Sequence, residues 1–217
     1  MPSRDKIFAN IRKSLNGSAN DLARRLQVDA RLSARTRNTV PARATVAGGD
    51  AVVAFVARLK AAAITVVEAP HFDDVPRLAA DYLRANNLPA RLRMGAEPDL
   101  AALTWAPTEI LAGRASATDE VSLSKAFAGV AETGTLVMLS GPANPTTLNF
   151  LPETQIVVIR ASDVVGGYEQ TWDRIRSAGA MPRTVNWISG PSRTADIEQT
   201  IVMGAHGPRR LHVILTS

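Results

Sequence analysis

Apolar residues in the first 15 positions of the chain recur at helical spacing. Ile7, Ile11 and Leu15 are four residues apart and follow Ser3, a residue type that caps helices. A second helical pattern, with leucines interleaved with arginines, covers residues 22–32. Both apolar stripes are narrow, so each helix needs another surface to lie against. We therefore expect an N-terminal helical arm that packs on its own domain or on a second chain, with nucleic acid or a membrane as the remaining alternative.

The stretch that follows the second helical pattern is polar and contains several arginines over residues 33–45, which is typical of a linker. The arm and its linker are therefore predicted at residues 1–45, and the main domain at residues 46–217.

From Gly48 onward the chain alternates between helical periods and short β-branched runs. Helices are predicted over 50–63, 73–87, 167–178 and 194–203, and strands over 64–67, 90–94, 109–111, 135–139, 156–160, 184–189 and 211–216. Strands that alternate with helices are typical of an α/β domain with a largely parallel sheet. The runs Ile156–Ile159 and Val213–Leu215 are apolar without alternation, as expected for strands buried on both faces.

The charge is unevenly distributed between these two regions. The net charge is +5, but residues 1–45 hold ten basic and three acidic side chains, whereas residues 46–217 hold fifteen and seventeen. The main domain therefore lacks the basic excess on which nucleic-acid binding depends. We predict no nucleic-acid partner, and we expect the basic arm to suit an acidic protein surface.

Composition excludes several kinds of chemistry. The chain has no cysteine, which rules out disulfides, a thiol nucleophile and cysteine-ligated zinc or iron–sulfur clusters. Its three histidines lack metal-ligand spacing, and no glycine motif for a dinucleotide or phosphate loop is present, so we predict no metal and no cofactor in this chain. We see neither a signal peptide nor an apolar run near the roughly 20 residues of a membrane span, and we expect a cytoplasmic protein without a membrane span.

The first candidate site lies where the chain enters a predicted buried strand. Glu132, Thr133 and Gly134 precede the strand, and Thr135 is its first residue. Ser140 follows the end of the strand. Glycine lets the backbone approach a ligand closely, and a carboxylate beside a dry sheet suits proton transfer or nucleophilic attack. Glu132 is therefore a catalytic candidate. The alternative is a tight turn in which Glu132 only accepts neighbouring N–H bonds.

The second candidate site begins at Gly190, between a predicted strand and a predicted helix. Ser192 or Thr194 would cap that helix, and the N–H groups of its first turn would bind an anion. Arg193 adds a bidentate partner for a small carboxylate or phosphate, and strand-to-helix crevices are where open α/β sheets bind ligands. The alternative is a capped helix without a ligand, in which Asp196 offsets the helix dipole.

Two histidines near the C-terminus have different expected roles. His206 either reaches into the same crevice as a second catalytic candidate, or it belongs to a helix C-cap followed by a proline turn. His212 lies within the last apolar strand and is predicted to be a core histidine.

These segments resemble the LUD-domain family. The blocks that carry the resemblance are Gly129–Leu139 with Ser140-Gly141-Pro142, Leu151-Pro152-Glu153, Ile188–Glu198, His206–Pro208 and Leu211–Leu215. Because the blocks are long and stand in the family's order, the chain is identified as a member of the lactate-utilisation protein C (LutC/YkgG) branch.

The resemblance implies a three-layer α/β domain of the NagB/RpiA/CoA-transferase type, with a mostly parallel sheet and the N-terminal helical arm. It also implies a part in the oxidation of L-lactate to pyruvate, beside partner subunits that bind iron–sulfur clusters. Since a chain without cysteine cannot hold a cysteine-ligated cluster, the clusters are expected in the partners. This chain would then position the substrate or support assembly.

A stand-alone enzyme is the alternative. In CoA transferases of this superfamily, a strand-end glutamate followed by a small residue and glycine is the nucleophile that takes up the acyl group. Glu132-Thr133-Gly134 resembles that arrangement by fold-level analogy, with threonine where asparagine is expected. Such an enzyme would act on a phosphosugar or an acyl-CoA, and an oligomer is compatible with either interpretation.

Overall fold

The structure, a computed structural model, describes residues 3–15, 21–34, 36, 39–195, 201–204 and 206–217, with the backbone alone at 194, 195 and 201–203. The chain divides into two units, residues 1–40 and residues 41–217. No helix within the described ranges is long and apolar enough to cross a membrane.

The first unit contains two helices, α1 (Arg4–Ser14) and α2 (Leu22–Ala34), as the spacing of the apolar residues predicts. Ser3 occupies the N-cap position of α1, but its side chain makes no capping hydrogen bond. Neither helix buries a side chain, and Ile11, for example, is 47% exposed. The pair Asn16-Gly17, which follows Leu15 and is typical of a helix end, lies outside the described residues.

The described residues of the second unit form three sheets, of six, four and two strands. The strands, numbered along the chain, are β1 (Thr65–Ala69), β2 (Arg91–Met94), β3 (Glu109–Ala112), β4 (Val121–Lys125), β5 (Ala128–Val130), β6 (Thr135–Leu139), β7 (Thr154–Arg160), β8 (Val164–Val165), β9 (Val185–Ile188), β10 (Arg193–Ala195), β11 (Ile201–Met203) and β12 (Arg210–Thr216). The large sheet has six strands in the order β1-β12-β7-β4-β2-β3, and all of its pairings are parallel. Its central strands β7 and β12 pair along seven residues, which explains their continuous apolar runs.

The second sheet has four strands in the order β8-β5-β6-β9. Strand β6 is antiparallel to both β5 and β9, whereas β8 runs parallel to β5. Only Ala126 and Phe127 separate β4 from β5, so the second sheet begins directly at the carboxyl edge of the large sheet.

Four helices complete the unit: α3 (Gly48–Ala61), α4 (Val75–Ala85), α5 (Pro98–Ala101) and α6 (Tyr168–Ser177). Phe55 of α3 is fully buried in a cluster with residues of β6, β7 and β12, so α3 packs against both sheets. Helix α4 contributes Leu83 to the core on the other face of the large sheet, and α6 covers the second sheet through Ile175. The predicted α/β domain with a mostly parallel sheet is confirmed.

The helix predicted over 194–203 is wrong, because β10 and β11 pair there as antiparallel strands. Ser192 extends this ladder: its N–H donates to the Pro208 carbonyl at 2.8 Å, and its carbonyl accepts from the Gly204 N–H at 3.1 Å. Ser192 therefore does not cap a helix, and Thr194 lies inside β10. The β-branched residues of both strands favour this extended backbone.

Candidate functional site

Glu132 lies in the turn that joins β5 to β6. Its N–H donates to the Gly166 carbonyl at 2.9 Å, which anchors the turn to the end of β8. Gly134 in the same turn has a φ of +68°, and a Cβ at this position would lie 2.6 Å from the Cβ of Arg58 in α3. The turn therefore packs so closely on α3 that it requires glycine here.

The Glu132 carboxylate is nearly buried and forms an ion pair. Its Oε1 lies 3.1 Å from Nη2 of Arg43, and the two side chains are 8% and 60% exposed. The backbone that follows Arg43 lies against Gly166, because a Cβ on Gly166 would lie 2.3 Å from the Ala44 carbonyl oxygen. Arg43 is thus the exposed member of the pair and Glu132 the buried one.

Four hydroxyl groups form a hydrogen-bonded cluster at this turn: Thr133, Thr135, Tyr168 and Ser189. Thr135 Oγ1 lies 2.6 Å from Thr133 Oγ1, 2.6 Å from Ser189 Oγ and 3.1 Å from Tyr168 Oη, and Thr133 Oγ1 lies 2.9 Å from Tyr168 Oη. Thr135 is fully buried. The cluster ties β6 to the end of β9 and to the first residue of α6, and so fixes the position of the turn.

The turn that carries Glu132 thus holds an ion pair to Arg43 and, through Thr133 and Thr135, hydrogen bonds to Tyr168 and Ser189. Sequence patterns missed these three partners. Arg43, Tyr168 and Ser189 belong to segments distant from the turn along the chain. No local spacing links them to Glu132, so no pattern could have identified them.

Ser140 does not belong to this group. It follows the far end of β6, five residues beyond Thr135, where its Oγ accepts the Thr184 N–H at 2.8 Å. Its hydroxyl therefore supports the pairing of β6 with the start of β9.

The candidates near the C-terminus form a separate group. Ser192 Oγ accepts the backbone N–H of His206 at 3.2 Å, so these two residues meet at the base of the β10–β11 hairpin. Arg193 is exposed in β10, and Gly190 lies against α3, with its Cβ position 3.5 Å from the Ala62 carbonyl. Within the described part of the chain, no hydrogen bond or ion pair joins this group to Glu132. The Thr194 side chain and Asp196 lie outside what the structure describes.

His212 is a core histidine, as predicted. It is 6% exposed, its Nδ1 lies 2.8 Å from Thr65 Oγ1, and its ring stacks on Tyr82 with 4.0 Å between centroids. Its Nε2 is buried without a hydrogen-bond partner. Burial lowers the pKa of His212 to about 4, because a charged imidazole would lose its solvation there.

The described residues offer no set of side chains suited to a metal ion or to a cysteine-ligated iron–sulfur cluster. The part of the chain that the structure describes contains no group of three or more His, Asp or Glu side chains that could hold a metal ion. The chain has no cysteine, so a cysteine-ligated cluster does not fit its residues.

Comparison with known proteins identifies similar chains. Residues 52–216 match the family model of the LUD domain. Lactate utilization protein C of Geobacillus sp. (strain WCH70) is 37% identical over 92 residues, and that of Bacillus subtilis (strain 168) is 38% identical over 92 residues. Each alignment covers 41% of this chain and 38% of the relative, so well under half of either protein is compared.

A solved structure has a similar fold. The crystal structure of a duf162 family protein from Deinococcus radiodurans matches with a TM-score of 0.62 and 19% sequence identity, over 79% of this chain and 99% of that chain. At this identity the likeness concerns the fold alone.

Proposed function

The chain belongs to the LUD-domain family, and from this we propose that it takes part in lactate utilisation. Its role would be that of a cysteine-free, substrate-positioning component of an iron–sulfur-dependent system that oxidises L-lactate to pyruvate. The relatives named lactate utilization protein C support the pathway. The absence of cysteine supports a role without electron transfer for this chain, since any cysteine-ligated clusters would have to belong to partner subunits.

The observation that carries the proposed role is the ion pair between buried Glu132 and exposed Arg43. Oxidation of a 2-hydroxy acid to a 2-oxo acid removes two protons and two electrons. A positioned carboxylate can accept the hydroxyl proton, while the C2 proton would pass to solvent and the two electrons to the iron–sulfur partners. An incoming lactate carboxylate would take over the Arg43 guanidinium as a bidentate partner, which would release Glu132 from its ion pair. Arg43 and Glu132 together thus supply one group for the carboxylate and one for the hydroxyl.

This assignment differs from the expectation that Arg193 binds the substrate carboxylate. Arg43 lies 3.1 Å from Glu132, whereas Arg193 is exposed on the β10–β11 hairpin and has no described contact with the Glu132 turn. Under the proposal, Arg43→Gln raises the KM for lactate more strongly than Arg193→Gln does. An equal or larger effect of Arg193→Gln would instead indicate that Arg193, on the β10–β11 hairpin, binds the lactate carboxylate.

The experiment that tests the proposal reconstitutes the lactate-oxidising system with and without this chain. Lactate-dependent reduction of a dye is measured with the partner subunits alone, and then after addition of the purified chain. We expect activity to collapse on omission and to return on addition. Undiminished activity without the chain would contradict the proposal.

We further propose that the basic arm docks on a partner subunit. Helices α1 and α2 bury no side chain of their own, and they belong to the region that carries the excess of basic residues. Co-purification of the tagged chain from lactate-grown cells should recover iron–sulfur proteins, and removal of residues 1–40 should release them. Equal recovery by the full-length and shortened chains would argue against docking through the arm.

A second candidate function uses the same carboxylate. The position of Glu132 at a strand end, two residues before Gly134 with its φ of +68°, favours a stand-alone enzyme of the transferase or isomerase type acting on an acyl-CoA or a phosphosugar. This function requires ligand binding by the isolated chain. Thermal unfolding in the presence of acyl-CoA or sugar phosphates separates the two candidates, because only the stand-alone enzyme is stabilised without partners.

A further inference from the structure

A cavity of about 620 Å³ lies at the opposite end of β6 from the Glu132 turn. Three loops line it. The loop that follows β3 contributes Arg114, the loop between β6 and β7 contributes residues 140–142 and 145–147, and the segment that leads into β9 contributes Arg183. These loops are distant from one another along the chain, so the cavity exists only when the second unit is folded.

The two arginines in this lining carry charge that the protein does not balance locally. Both Arg114 and Arg183 are exposed, and within the described part of the chain neither guanidinium forms a hydrogen bond or an ion pair. None of the described residues that line the cavity is Asp or Glu. In contrast, Arg174, which lines a different cavity, is paired with Asp163. Two positive charges therefore face one cavity without a carboxylate of the protein beside them.

A hydroxyl group that a ligand can reach accompanies the arginines. Thr146 is half-buried, and its hydroxyl has no hydrogen-bond partner among the described residues. This hydroxyl is not one of the polar atoms that are buried without a partner, so it is open to solvent. A hydroxyl donates to an anion, and each guanidinium presents a planar fork of N–H donors that matches the oxygens of a carboxylate or a phosphate.

The residue that follows each arginine is hydrogen-bonded to the loop between β6 and β7. Thr184 exchanges two hydrogen bonds with Ser140: its carbonyl accepts the Ser140 N–H at 3.0 Å, and its N–H donates to Ser140 Oγ at 2.8 Å. Ala115 donates its N–H to Thr147 Oγ1 at 3.1 Å. Both arginines therefore extend from backbone that is tied to the same loop.

This loop is itself built onto the end of β2. A Cβ on Gly95 would lie 2.1 Å from the Ala143 carbonyl oxygen, and the Ala96 N–H donates to the Pro142 carbonyl at 3.0 Å. The loop also carries Asn144, which is buried. The wall that connects the two arginines is therefore packed against the large sheet.

The charge and the size of the cavity together select a class of ligand. A dianion balances the two cations, whereas a monoanion leaves one of them without a partner and a neutral molecule leaves both. The volume lies within the range of roughly 300–1,000 Å³ that is typical of small-molecule sites, so a molecule with several carbon atoms fits. Pro142 and Pro145 offer apolar surface to those carbon atoms.

From these observations we propose that the cavity lined by Arg114, Thr146 and Arg183 binds a small organic dianion. The two guanidinium groups bind its acidic oxygens, and Thr146 Oγ1 donates a further hydrogen bond. Dicarboxylates and phosphate monoesters share this chemistry. The site is separate from the Glu132 turn and does not rest on the proposed part in lactate oxidation.

Isothermal titration of the full chain, in a buffer without phosphate or carboxylate, tests the proposal. The dianionic probes are succinate and glycerol phosphate, which both carry two negative charges at about pH 8, and sodium L-lactate is the monoanionic probe. We expect at least one dianion to bind with a Kd in the millimolar range or tighter, and about tenfold or more tightly than lactate.

Substitutions in the lining separate this site from general attraction to a basic protein. Arg114→Gln and Arg183→Gln should each weaken the binding about tenfold or more, because each removes a charged hydrogen-bond donor. Thr146→Val should weaken it by a smaller factor. Arg84→Gln is the matched control, because it removes the same charge from an exposed arginine of α4 that does not line the cavity. Its affinity should equal that of wild type, and thermal unfolding without ligand shows whether each variant is folded.

The pattern of binding identifies the dianion. Binding of succinate alone identifies a dicarboxylate site, binding of glycerol phosphate alone identifies a phosphate-monoester site, and binding of both identifies a general dianion site. The proposal is overturned if neither dianion binds, or if lactate binds as tightly as they do. It is also overturned if Arg114→Gln and Arg183→Gln bind as wild type does, or if Arg84→Gln weakens binding as much as they do.

Discussion

Arg43 Nη2 lies 3.1 Å from Glu132 Oε1, and the arginine side chain is 60% exposed while the glutamate is only 8% exposed. The pair is therefore asymmetric: the arginine is solvated with or without its partner, but the carboxylate is not. Removing one member of such a pair leaves a buried charge only when the arginine is the member removed.

We expect Arg43→Met to lower the free energy of unfolding by about 1–3 kcal/mol, because the buried Glu132 carboxylate loses its cationic partner. Glu132→Gln should lower it less, since the buried charge disappears with the substitution. Urea unfolding measures both variants. Arg77→Met, which breaks the surface ion pairs of Arg77 with Asp74 and Asp81, is the control and should have a smaller effect, at most about 1 kcal/mol. Equal losses in Arg43→Met and Arg77→Met would contradict the asymmetry.

His212 makes stability depend on pH. Burial lowers its pKa from 6.5 to about 4, so between these values the folded chain binds fewer protons than the unfolded chain. The stabilisation is present in full above pH 6.5 and is lost as the pH falls towards 4, up to about 3 kcal/mol. The free energy of unfolding measured from pH 7 to pH 4 should fall less steeply for His212→Gln than for wild type. Identical slopes for wild type and His212→Gln would refute the prediction.

Gly95 should tolerate no side chain, because a Cβ would lie 2.1 Å from the Ala143 carbonyl oxygen and 2.9 Å from Pro145 Cδ. Gly95→Ala must displace the loop that carries Asn144, and we expect a loss of about 2 kcal/mol or more in thermal unfolding. Gly49→Ala is the matched control, because its Cβ would meet nothing within 4 Å in the first turn of α3. That variant should be neutral or slightly stabilised. A tolerated Gly95→Ala would show that the loop does not seat on β2.

Two substitutions in the hydroxyl cluster should lower the free energy of unfolding by different amounts. Thr135→Val removes a buried hydroxyl within hydrogen-bond distance of three others, whereas Tyr168→Phe removes one with two such neighbours. We expect Tyr168→Phe to cost about 1 kcal/mol and Thr135→Val to cost more, as measured by urea denaturation. The reverse order would mean that Tyr168, not Thr135, is the centre of the cluster.

Sequence patterns predicted most of the helices and strands of about five residues or more, such as β6 and α6. Strand β6 spans 135–139 as predicted, and α6 begins and ends within one residue of its predicted bounds. Strands β5 and β8 have only three and two residues, too few for a periodicity to register. The alternation of Val121, Ser122, Leu123 and Ser124 is a strand signal that would have found β4.

The candidate sites show a second limit of sequence patterns. The turn around Glu132 was predictable from its local composition, but its partner Arg43 and the Tyr168 hydroxyl come from other parts of the chain. Thr133 and Tyr168, for example, are 35 positions apart and meet through the packing of α6 on the second sheet. Near Ser192, the hydrogen bond to the Pro208 carbonyl holds the backbone in an extended conformation. The short helical pattern that follows in the sequence does not predict this pairing, because the partner is distant along the chain.

A general base at Glu132 can be measured as the rate of lactate-dependent dye reduction by the reconstituted system, with Glu132→Gln in place of the wild-type chain. Lactate is kept saturating, and Arg77→Met serves as the matched variant. We expect Glu132→Gln to lower the maximal rate by about 10²-fold or more, the usual contribution of a positioned general base, while Arg77→Met retains the wild-type rate. A wild-type rate with Glu132→Gln would contradict the assignment of Glu132 as the base.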